Sequence, residues 1–410
     1  MFPKVKKPKK LIYLDHAAAT PLDPQVKKAM EPFLAEKFGN PSSLYQKGRE
    51  AKQAINDARV VIARLINARP SEIIFTAGGT ESVNLAIFGV ARMDTNTKTN
   101  KHGTSHFITS SIEHHCVINC FKALAGEGNK VTFAEVDEQG FISLEKLKKA
   151  VRPETVFISV MLANNEIGTI EPVEEIGKWL KGENQRRLKK DQQPIIFHTD
   201  ACQAAGFLDL DVNRLHVDLM SVNGSKIYGP KQSGFLYVRS GVNLKPLIYG
   251  GGQEHGMRSG TENVAAIVGL AKAFELAQQD KEDESQKLFN LSGRLIKGVK
   301  RGIKNIIING TELGKRLPNN INLTIKGLEG EALMLYLDSY GISASTSSAC
   351  STGITEASHV LLALGRTQAE AKSSIRFTLG KGTKKSEIDF VIKILPGLVK
   401  ELRKVSKLKE

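Results

Sequence analysis

The sequence predicts an α/β protein with a seven-stranded, mostly parallel sheet in a large domain, followed by a smaller α+β domain. Short apolar segments alternate with helical patterns between residues 50 and 240, as in doubly wound sheets. After Gly260 the pattern changes to a long helix and a mixed α+β unit. Polar residues directly follow several of the apolar segments, and in such sheets ligands bind at the carboxyl ends of the strands.

The large domain is predicted to comprise residues 23–262. Its helix before the first sheet strand is indicated by apolar residues that share one face between Ala54 and Leu65. The segments predicted as strands are short, apolar and rich in β-branched or aromatic residues, as is typical of strands buried on both faces. They are residues 72–76, 106–109, 131–136, 155–162, 194–200, 217–223 and 234–238.

Residues 263–410 are predicted to form the small domain, beginning with one helix over 264–300, where Ile267, Leu270 and Phe274 recur at helical spacing. Residues 1–22 are expected to form an arm that packs beside this domain. The other predicted elements are two strands and two helices: 320–325, 374–379, 331–340 and the final amphipathic segment.

Composition excludes several classes of protein. With 410 residues, 41% hydrophobic and 25% charged, the chain is neither disordered nor small. Four cysteines cannot form a disulfide framework, and no stretch reaches the roughly 18 apolar residues that a membrane span needs. The basic start, MFPKVKKPKK, has neither the pattern of a signal peptide nor that of a transit peptide. These observations predict a soluble, cytoplasmic protein.

The net charge of +15 raises the question of nucleic-acid binding. The basic residues concentrate at the start, at 181–193 and in the last helix, with no interleaved aromatics and no nucleic-acid-binding signature. We therefore expect no direct binding to nucleic acid, and the charge instead favours solubility and small anions.

The most informative segment runs from Asp200 to Lys226. Asp200 ends an apolar strand and Gln203 follows closely, while Lys226 follows another strand and a turn of small residues. A Lys in a pocket that favours its neutral form can make a Schiff base. Pyridoxal phosphate then serves as an electron sink if an acid keeps its pyridine nitrogen protonated. Either residue alone is better explained as a solvated Lys or a helix-capping Asp, and only the surrounding set of residues favours the cofactor.

The phosphate of such a cofactor needs hydrogen-bond donors. FTAGGTESVNLAI has the pattern of a strand, a glycine turn and a helix start, so the amides near Gly79 and the Thr80 hydroxyl are candidate donors. His114, Cys116 and Cys120 could suggest a metal site, but no second ligand pair stands at zinc-like spacing. We expect no metal and interpret both cysteines as small packing residues.

The chain resembles the cysteine desulfurases of the NifS/IscS type, enzymes of the class V aminotransferase fold that depend on pyridoxal phosphate (fold type I). Ten motifs spread over nearly the whole chain carry the resemblance. They are YLDHAAATP (13–21), FGNPSS (38–43), FTAGGTES (75–82), EHHCV (113–117), ANNEIG (163–168), HTDACQ (198–203), KIYGPK (226–231), GGGQEHGMRSGT (250–261), SSAC (347–350) and SSIRFTLG (373–380).

The resemblance implies how the cofactor is held. Lys226 forms the Schiff base and moves the substrate α-proton, Asp200 pairs with the pyridine nitrogen, and His114 stacks on the ring and takes part in proton transfer. The other cofactor contacts that it implies are Gly79, Thr80, Asn165, Gln203, Asn223, Ser225 and, from a partner subunit, Thr261.

The resemblance also implies the reaction. Arg376 clamps the carboxylate of L-cysteine with its planar fork, and Asn40 and Asn165 position the substrate. The Cys350 thiolate attacks the substrate sulfur, leaving an enzyme persulfide and alanine. Independently, the small polar segment around Cys350 is a poor environment for a core cysteine.

The resemblance further implies a homodimer and a sulfur-acceptor protein, either an iron–sulfur scaffold or a tRNA-thiolation protein. The turn Asn223-Gly224-Ser225 stands where the family usually has Ser-Gly-His, and Tyr45 and Ser347 replace a common His and Gly. Two alternatives stay open at this point. One is another class V reaction, such as that of a selenocysteine lyase or an aminotransferase, and the other is a binding partner that has lost catalytic power.

Overall fold

The computed structural model describes residues 11–93, 104–346 and 357–406. Its strands in chain order are β1 Ile12–Tyr13, β2 Ile73–Thr76, β3 His106–Ser110, β4 Lys130–Ala134, β5 Thr155–Ser159, β6 Ile196–Asp200, β7 Leu219–Asn223, β8 Gly234–Val238, β9 Ile306–Ile308, β10 Asn320–Ile325, β11 Ile342–Ser343 and β12 Ser374–Thr378. Its α-helices are α1 Pro24–Leu34, α2 Gln46–Leu65, α3 Gly79–Ala91, α4 His115–Gly126, α5 Leu144–Ala150, α6 Val173–Leu188, α7 Val212–Leu215, α8 Val264–Gln279, α9 Lys281–Gly302, α10 Gly330–Ser339, α11 His359–Ala363, α12 Gln368–Lys372 and α13 Lys385–Val405.

The seven predicted strands form one sheet in the order β2-β8-β7-β6-β5-β3-β4, which confirms the predicted fold class. β8 runs antiparallel to both of its neighbours, β2 and β7, and the other neighbouring strands in this sheet are parallel. Because β8 separates β2 from β7, β2 points the same way as the parallel strands. Six strands therefore end at one edge of the sheet, where ligands bind in sheets of this kind.

Helices cover both faces of the sheet. Val83 of α3 and Phe121 of α4 belong to the hydrophobic cluster on one face. Ile55 of α2 and Leu270 of α8 belong to the larger cluster on the other. Strands covered on both faces need side chains that tolerate burial at every position. This requirement explains why all five residues of β5 are buried.

A second core lies among the C-terminal elements. The three-stranded antiparallel sheet β12-β10-β9 packs with α9, α10 and α13 in one hydrophobic cluster, to which Ile12 and Leu14 of the N-terminal segment also belong. β1 pairs in parallel with β11, and Asp15 forms a further bridge to Thr378. The N-terminal segment from residue 11 onward therefore packs against and pairs with the C-terminal elements.

The single helix predicted over 264–300 is wrong, because α8 ends at Gln279 and α9 begins at Lys281. The two helices meet at Asp280, whose carboxylate accepts a hydrogen bond from Lys381 Nζ at 2.6 Å. α8 contributes to the core beneath the large sheet and α9 to the C-terminal core. The division at 22 and 262 remains a proposal, and this packing favours a boundary near Asp280. No helix in the described ranges is long and apolar enough to cross a membrane.

Candidate active site

The amino end of α3 lies at the carboxyl edge of the sheet, directly after β2. Gly78, its N-cap, has a φ of 137° and supplies no side-chain hydrogen bond to the helix. A Cβ at Gly79 would lie 2.6 Å from Cys202 Sγ, so this position has no room for a side chain. The start of α3 therefore suits an anion. Its first backbone amides have no partner within the helix, and the helix dipole favours negative charge there.

The turn after β7 lies against this helix start. Asn223 Oδ1 accepts hydrogen bonds from the Ser225 amide and hydroxyl, each at 3.1 Å. Asn223 Nδ2 lies 3.6 Å from the position that a Cβ on Gly79 would take. Ser225 therefore orients Asn223, whose amide group faces the anion site, and the Ser225 hydroxyl itself is engaged within the turn.

Asp200 ends β6 at the same edge, with a relative exposure of only 6%. Its Oδ1 accepts a hydrogen bond of 2.9 Å from the Cys202 amide. Burial raises the pKa of the Cys202 thiol well above its ordinary value, and the nearby Asp200 charge adds to this effect. Cys202 therefore stays a neutral thiol, consistent with a packing residue rather than a second nucleophile.

Lys226 follows the same turn and points toward the N-terminal segment. Its Nζ donates a hydrogen bond of 2.6 Å to the Ala18 carbonyl, and Gln203 Nε2 donates one of 3.1 Å to the Ala17 carbonyl. The backbone of residues 17 and 18 thus forms one wall of the site, a contribution that sequence reasoning missed. Consecutive Ala residues carry no chemical signal that could have revealed it.

His114 caps α4, which follows β3. Its Nδ1 accepts a hydrogen bond of 3.2 Å from the Cys116 amide, and Cys116 Sγ lies 3.0 Å from the same nitrogen. Burial lowers the pKa of His114 below its usual range, an effect that the Asp200 carboxylate partly opposes. Cys116 therefore has a contact inside the site, whereas the sequence predicted only a packing role for it.

Arg376 in β12 reaches the site from the C-terminal unit. Its Nη1 donates a hydrogen bond of 2.9 Å to the Asn165 carbonyl, and its Nη2 donates one of 2.9 Å to Asp15 Oδ1. Arg376 Nε and Asn165 Oδ1 are buried without a hydrogen-bond partner. The guanidinium of Arg376 is thus fixed in place and still has an unused N–H donor, which suits the bidentate binding of a carboxylate.

These side chains line one cavity of about 390 Å³. It brings together nine of the predicted site residues: Gly79, Thr80, His114, Asn165, Asp200, Gln203, Asn223, Lys226 and Arg376. Cys116, Cys202, Asp15 and Ser345 line it as well. Residues from distant parts of the sequence, including Asp15 of the N-terminal segment and Arg376 of β12, therefore converge at the edge where six strands end.

Three described site residues, Ser225, Asn40 and Thr261, do not line this cavity. Ser225 acts through Asn223, as described above. Asn40 is exposed, with its Oδ1 accepting a hydrogen bond of 2.9 Å from the Ser42 amide. Thr261 is also exposed, and its predicted role from a partner subunit remains a prediction. Cys350 lies outside the described residues.

The segment 250–261, which ends at Thr261, is anchored by two ion pairs. Glu254 makes a buried bidentate ion pair with Arg59, at 2.9 and 2.6 Å, and accepts a hydrogen bond from the Phe75 amide. Arg258 also pairs with Glu81 in the first turn of α3, at 2.9 Å. The segment is therefore tied to the helix that forms the anion site.

Two buried carboxyl groups, Glu113 and Glu166, are the chain neighbours of the site residues His114 and Asn165. Glu113 accepts a hydrogen bond from the Met161 amide, and burial raises its pKa well above its usual range. Burial raises the pKa of Glu166 to about 7, and its Oε2 accepts a hydrogen bond of 2.5 Å from the Ser358 hydroxyl. Both acids lie in motifs recognised in the sequence, but burial cannot be read from the motif alone.

The residues present fit pyridoxal phosphate. The uncapped, Cβ-intolerant start of α3 suits a phosphate, and the Asp200 carboxylate suits a protonated pyridine nitrogen. Lys226 supplies an amine in the same cavity. Among the described residues, no group of three or more His, Cys, Asp or Glu side chains could hold a metal ion. Fold and site together define a pyridoxal-phosphate-dependent enzyme with an aminotransferase fold.

Comparison with known proteins narrows this class. The sequence model of the family "Aminotransferase class-V" matches residues 12–391. A Clostridium botulinum protein named cysteine desulfurase IscS is 46% identical over 402 residues, covering 98% of this chain and 97% of that protein. The solved structure of a NifS-like protein has a TM-score of 0.85 at 35% identity, covering 96% of this chain and 100% of the other.

A second solved structure is described as SspA in complex with cysteine. It has a TM-score of 0.76 at 35% identity, and covers 90% of this chain and 98% of its own. The chain therefore belongs to the cysteine desulfurases of the NifS/IscS type, within the class V aminotransferase family.

Proposed function

We propose that the chain removes sulfur from L-cysteine to give L-alanine and a persulfide on Cys350. The observation that carries this proposal is the convergence of Lys226, Asp200, His114 and Arg376 on one cavity. That set supplies an amine, an acid, a histidine and a carboxylate clamp, which together are what pyridoxal-phosphate chemistry on an amino acid requires. The relatives named cysteine desulfurase support sulfur transfer over the other class V reactions.

The enzyme depends on pyridoxal phosphate, and the contacts of the cavity support a proposed position for each part of the cofactor. The cofactor, when bound, supplies an electron sink that weakens the bonds at the substrate α-carbon. The amides at the start of α3 and the Asn223 side chain would hold the phosphate. Asp200 would hold a proton on the pyridine nitrogen, Gln203 would lie beside the ring, and Lys226 would hold the cofactor covalently.

The substrate carboxylate is assigned to Arg376. This residue is 6% exposed and already fixed by Asp15 and the Asn165 carbonyl, so little side-chain entropy is lost when a carboxylate binds. With the substrate held in this way, the Lys226 amine would move the α-proton and His114 would exchange a proton through its Nε2.

The nucleophile is assigned to Cys350, and the described residues on both sides of its segment support this role. Ser345 lines the cavity and exchanges two backbone hydrogen bonds with Arg376, at 3.1 and 2.7 Å. On the other side, Ser358 is bonded to Glu166, the neighbour of Asn165. Both ends of the segment are thus fixed beside the site, which favours the access of a thiolate to the substrate sulfur.

We also propose a homodimer. Leu34, Phe38 and Leu44 are 66, 74 and 89% exposed, and they flank Asn40. An apolar surface of this kind marks an interaction site. A second copy seated on it would cover Asn40. The role of Thr261 at the partner's phosphate site is proposed from the resemblance to the family. Sedimentation of the holoenzyme tests this, and a monomer with full cofactor occupancy would contradict it.

The sulfur is proposed to pass to an acceptor protein, either an iron–sulfur scaffold or a tRNA-thiolation protein, in the cytoplasm. The chemistry supports an acceptor, because the persulfide on Cys350 must be consumed before the thiolate can act again. We also propose that the enzyme does not bind nucleic acid directly, since its basic residues include no recognition motif.

The proposal is tested by the absorbance spectrum of the purified enzyme with L-cysteine and a thiol reductant, together with assays of sulfide and alanine. Cys350→Ser is expected to keep the cofactor absorbance and lose sulfide production. Cys120→Ser is the matched control, because Cys120 is buried outside the cavity. Consumption of L-cysteine without formation of alanine in the wild type would indicate another class V reaction. Absence of cofactor absorbance even with added pyridoxal phosphate would indicate a protein without catalysis.

A further inference from the structure

One residue holds the imidazole of His114 in two ways. The backbone N–H of Cys116 donates to Nδ1 at 3.2 Å, and Cys116 Sγ lies 3.0 Å from the same nitrogen. A backbone N–H can only donate a hydrogen bond. Nδ1 must therefore offer a lone pair, and in the neutral ring the proton lies on Nε2.

We infer that Cys116 fixes His114 as the tautomer that carries its proton on Nε2, with the thiol donating S–H to Nδ1, and that Cys116 is a positioning residue rather than a second nucleophile. The inference concerns how this chain prepares His114, and its catalytic consequence rests on the proposed function. This tautomer leaves Nε2 as the nitrogen that exchanges protons in the site, because Nδ1 is engaged by Cys116.

The surroundings of the thiol agree with a donor role. Burial raises the pKa of the Cys116 thiol above its ordinary value, and the Asp200 and Cys120 groups add to the effect. The thiol therefore keeps its hydrogen at neutral pH and has one to donate. A nucleophile would need the opposite environment, in which the thiolate is favoured.

The surroundings of the imidazole agree as well. Protonating Nδ1 would break the cap on α4 and place a positive charge at the positive end of the helix dipole. Burial is the largest influence on the pKa of His114, and it lowers that pKa. The charged and titratable groups that act on the ring are Asp200, which favours the imidazolium, and Lys226, His115 and Arg376, which oppose it.

The test is nitrogen-15 NMR of the protein labelled at histidine, in apo and cofactor-loaded forms, with His114→Gln used to assign the signals. Protonated and unprotonated ring nitrogens give well-separated signals, so the tautomer is observed directly. The expected result in the wild type is an unprotonated Nδ1 and a protonated Nε2. A proton on Nδ1 in both forms would overturn the inference.

Two variants isolate the contribution of the thiol. Cys116→Ala removes the S–H donor and leaves the backbone donor. Because the S–H group favours the neutral ring, the pKa of His114 is expected to rise in this variant. The low-pH limb of the kcat profile should shift in the same direction. Cys116→Ser retains an O–H donor and is expected to restore both toward the wild type. If Cys116 served packing alone, both variants would change only the unfolding temperature, and the thiol assignment would be wrong.

These readouts separate the inference from the proposed function. The NMR signals and the titration of His114 do not depend on turnover, and they are also measurable in the Cys350→Ser background. An enzyme without desulfurase activity that nevertheless shows an Nε2-protonated His114 would refute the proposed function and retain the tautomer assignment. Desulfurase activity together with a proton on Nδ1 of His114 would refute the tautomer assignment and retain the proposed function.

Discussion

The carboxylate of Asp15 lies 2.9 Å from Nη2 of Arg376, across a separation of 361 residues in the chain. The side chains are 18% and 7% exposed, respectively, so water screens the pair only partly. The ion pair joins the N-terminal segment to the strand that carries the assigned carboxylate clamp. Asp15 therefore provides, in the absence of substrate, the negative charge that the substrate carboxylate brings when it binds.

Asp15→Ala is expected to leave the Arg376 charge largely buried and unpaired. Losing one partner of a fully buried pair destabilises a protein by roughly 3–5 kcal/mol, and the partial exposure of Asp15 reduces this cost here. L-alanine, which carries the product carboxylate, should restore an ion pair and thus raise the unfolding temperature of the variant more than that of the wild type. Thermal unfolding of the holoenzyme with and without L-alanine measures this difference.

The control for this prediction is Arg376→Ala, in which L-alanine is expected to stabilise much less whether or not Asp15 is present. The double variant Asp15→Ala/Arg376→Ala should resemble Arg376→Ala in its response to L-alanine. Equal stabilisation of Asp15→Ala and the wild type by L-alanine would show that Asp15 and the ligand carboxylate do not share the guanidinium.

Gly79→Ala is expected to weaken the binding of pyridoxal phosphate at least tenfold. The new Cβ would lie 2.6 Å from Cys202 Sγ, and this contact forces the start of α3 or β6 to move away from the anion site. Titration of the apoenzyme with the cofactor, followed by absorbance, measures the loss.

The double variant Gly79→Ala/Cys202→Ala tests the cause. Removing the sulfur removes the nearest clash, so this variant should bind the cofactor more tightly than Gly79→Ala alone. Cys202→Ala by itself serves as the reference for the effect of the sulfur. Undiminished cofactor affinity in Gly79→Ala would contradict the assignment of the phosphate to this helix start.

Lys226→Ala is expected to abolish the covalent bond to the cofactor while leaving weaker, reversible binding through Asp200 and the start of α3. Borohydride reduction followed by peptide mass spectrometry should find the adduct on Lys226 in the wild type and none in the variant. Lys231 is a suitable control position, because it lies outside this cavity and donates to the Thr20 carbonyl. A reducible adduct on another lysine of Lys226→Ala would refute the role of Lys226.

The parts of the fold and site that could be predicted are those that the sequence specifies locally. The strands of the large sheet are short segments dominated by apolar residues, such as β5 and β8, and this composition predicts burial on both faces. Because parallel strands end at one edge of a sheet, the order of strands and polar residues along the chain is enough to place Asp200 and Lys226 together.

The parts that could not be predicted depend on contacts between distant segments. At the break, Asp280 accepts a hydrogen bond from Lys381, 101 residues away, and no Pro or Gly stands at the break. The wall formed by Ala17 and Ala18 consists of backbone carbonyls, which every residue type provides. The carbonyls leave no local signal, whereas the acidic first turn of α9, with Glu282, Asp283 and Glu284, is typical of a helix start and could have marked the break.

The buried acid Glu166 predicts how stability depends on pH. Burial raises its pKa from an ordinary 4.5 to about 7, so the folded state holds this proton more tightly than the unfolded state does. The resulting stability is fully present below the unfolded pKa and is lost as the pH rises through about 7. A shift of this size corresponds to roughly 3 kcal/mol between the two limits.

Glu166→Gln has no proton to lose, so its free energy of unfolding should fall less than that of the wild type between about pH 5 and pH 8. Burial likewise raises the pKa of Glu171, to about 8. The fall in the free energy of unfolding that Glu171 causes as the pH rises should therefore persist in Glu166→Gln. The exposed Glu138→Gln is the matched control and should follow the wild type. Urea unfolding at a series of pH values measures all three proteins. Parallel curves for Glu166→Gln and the wild type would mean that Glu166 is already ionised in the folded state. The hydrogen bond from Ser358 would then join a hydroxyl to a buried carboxylate.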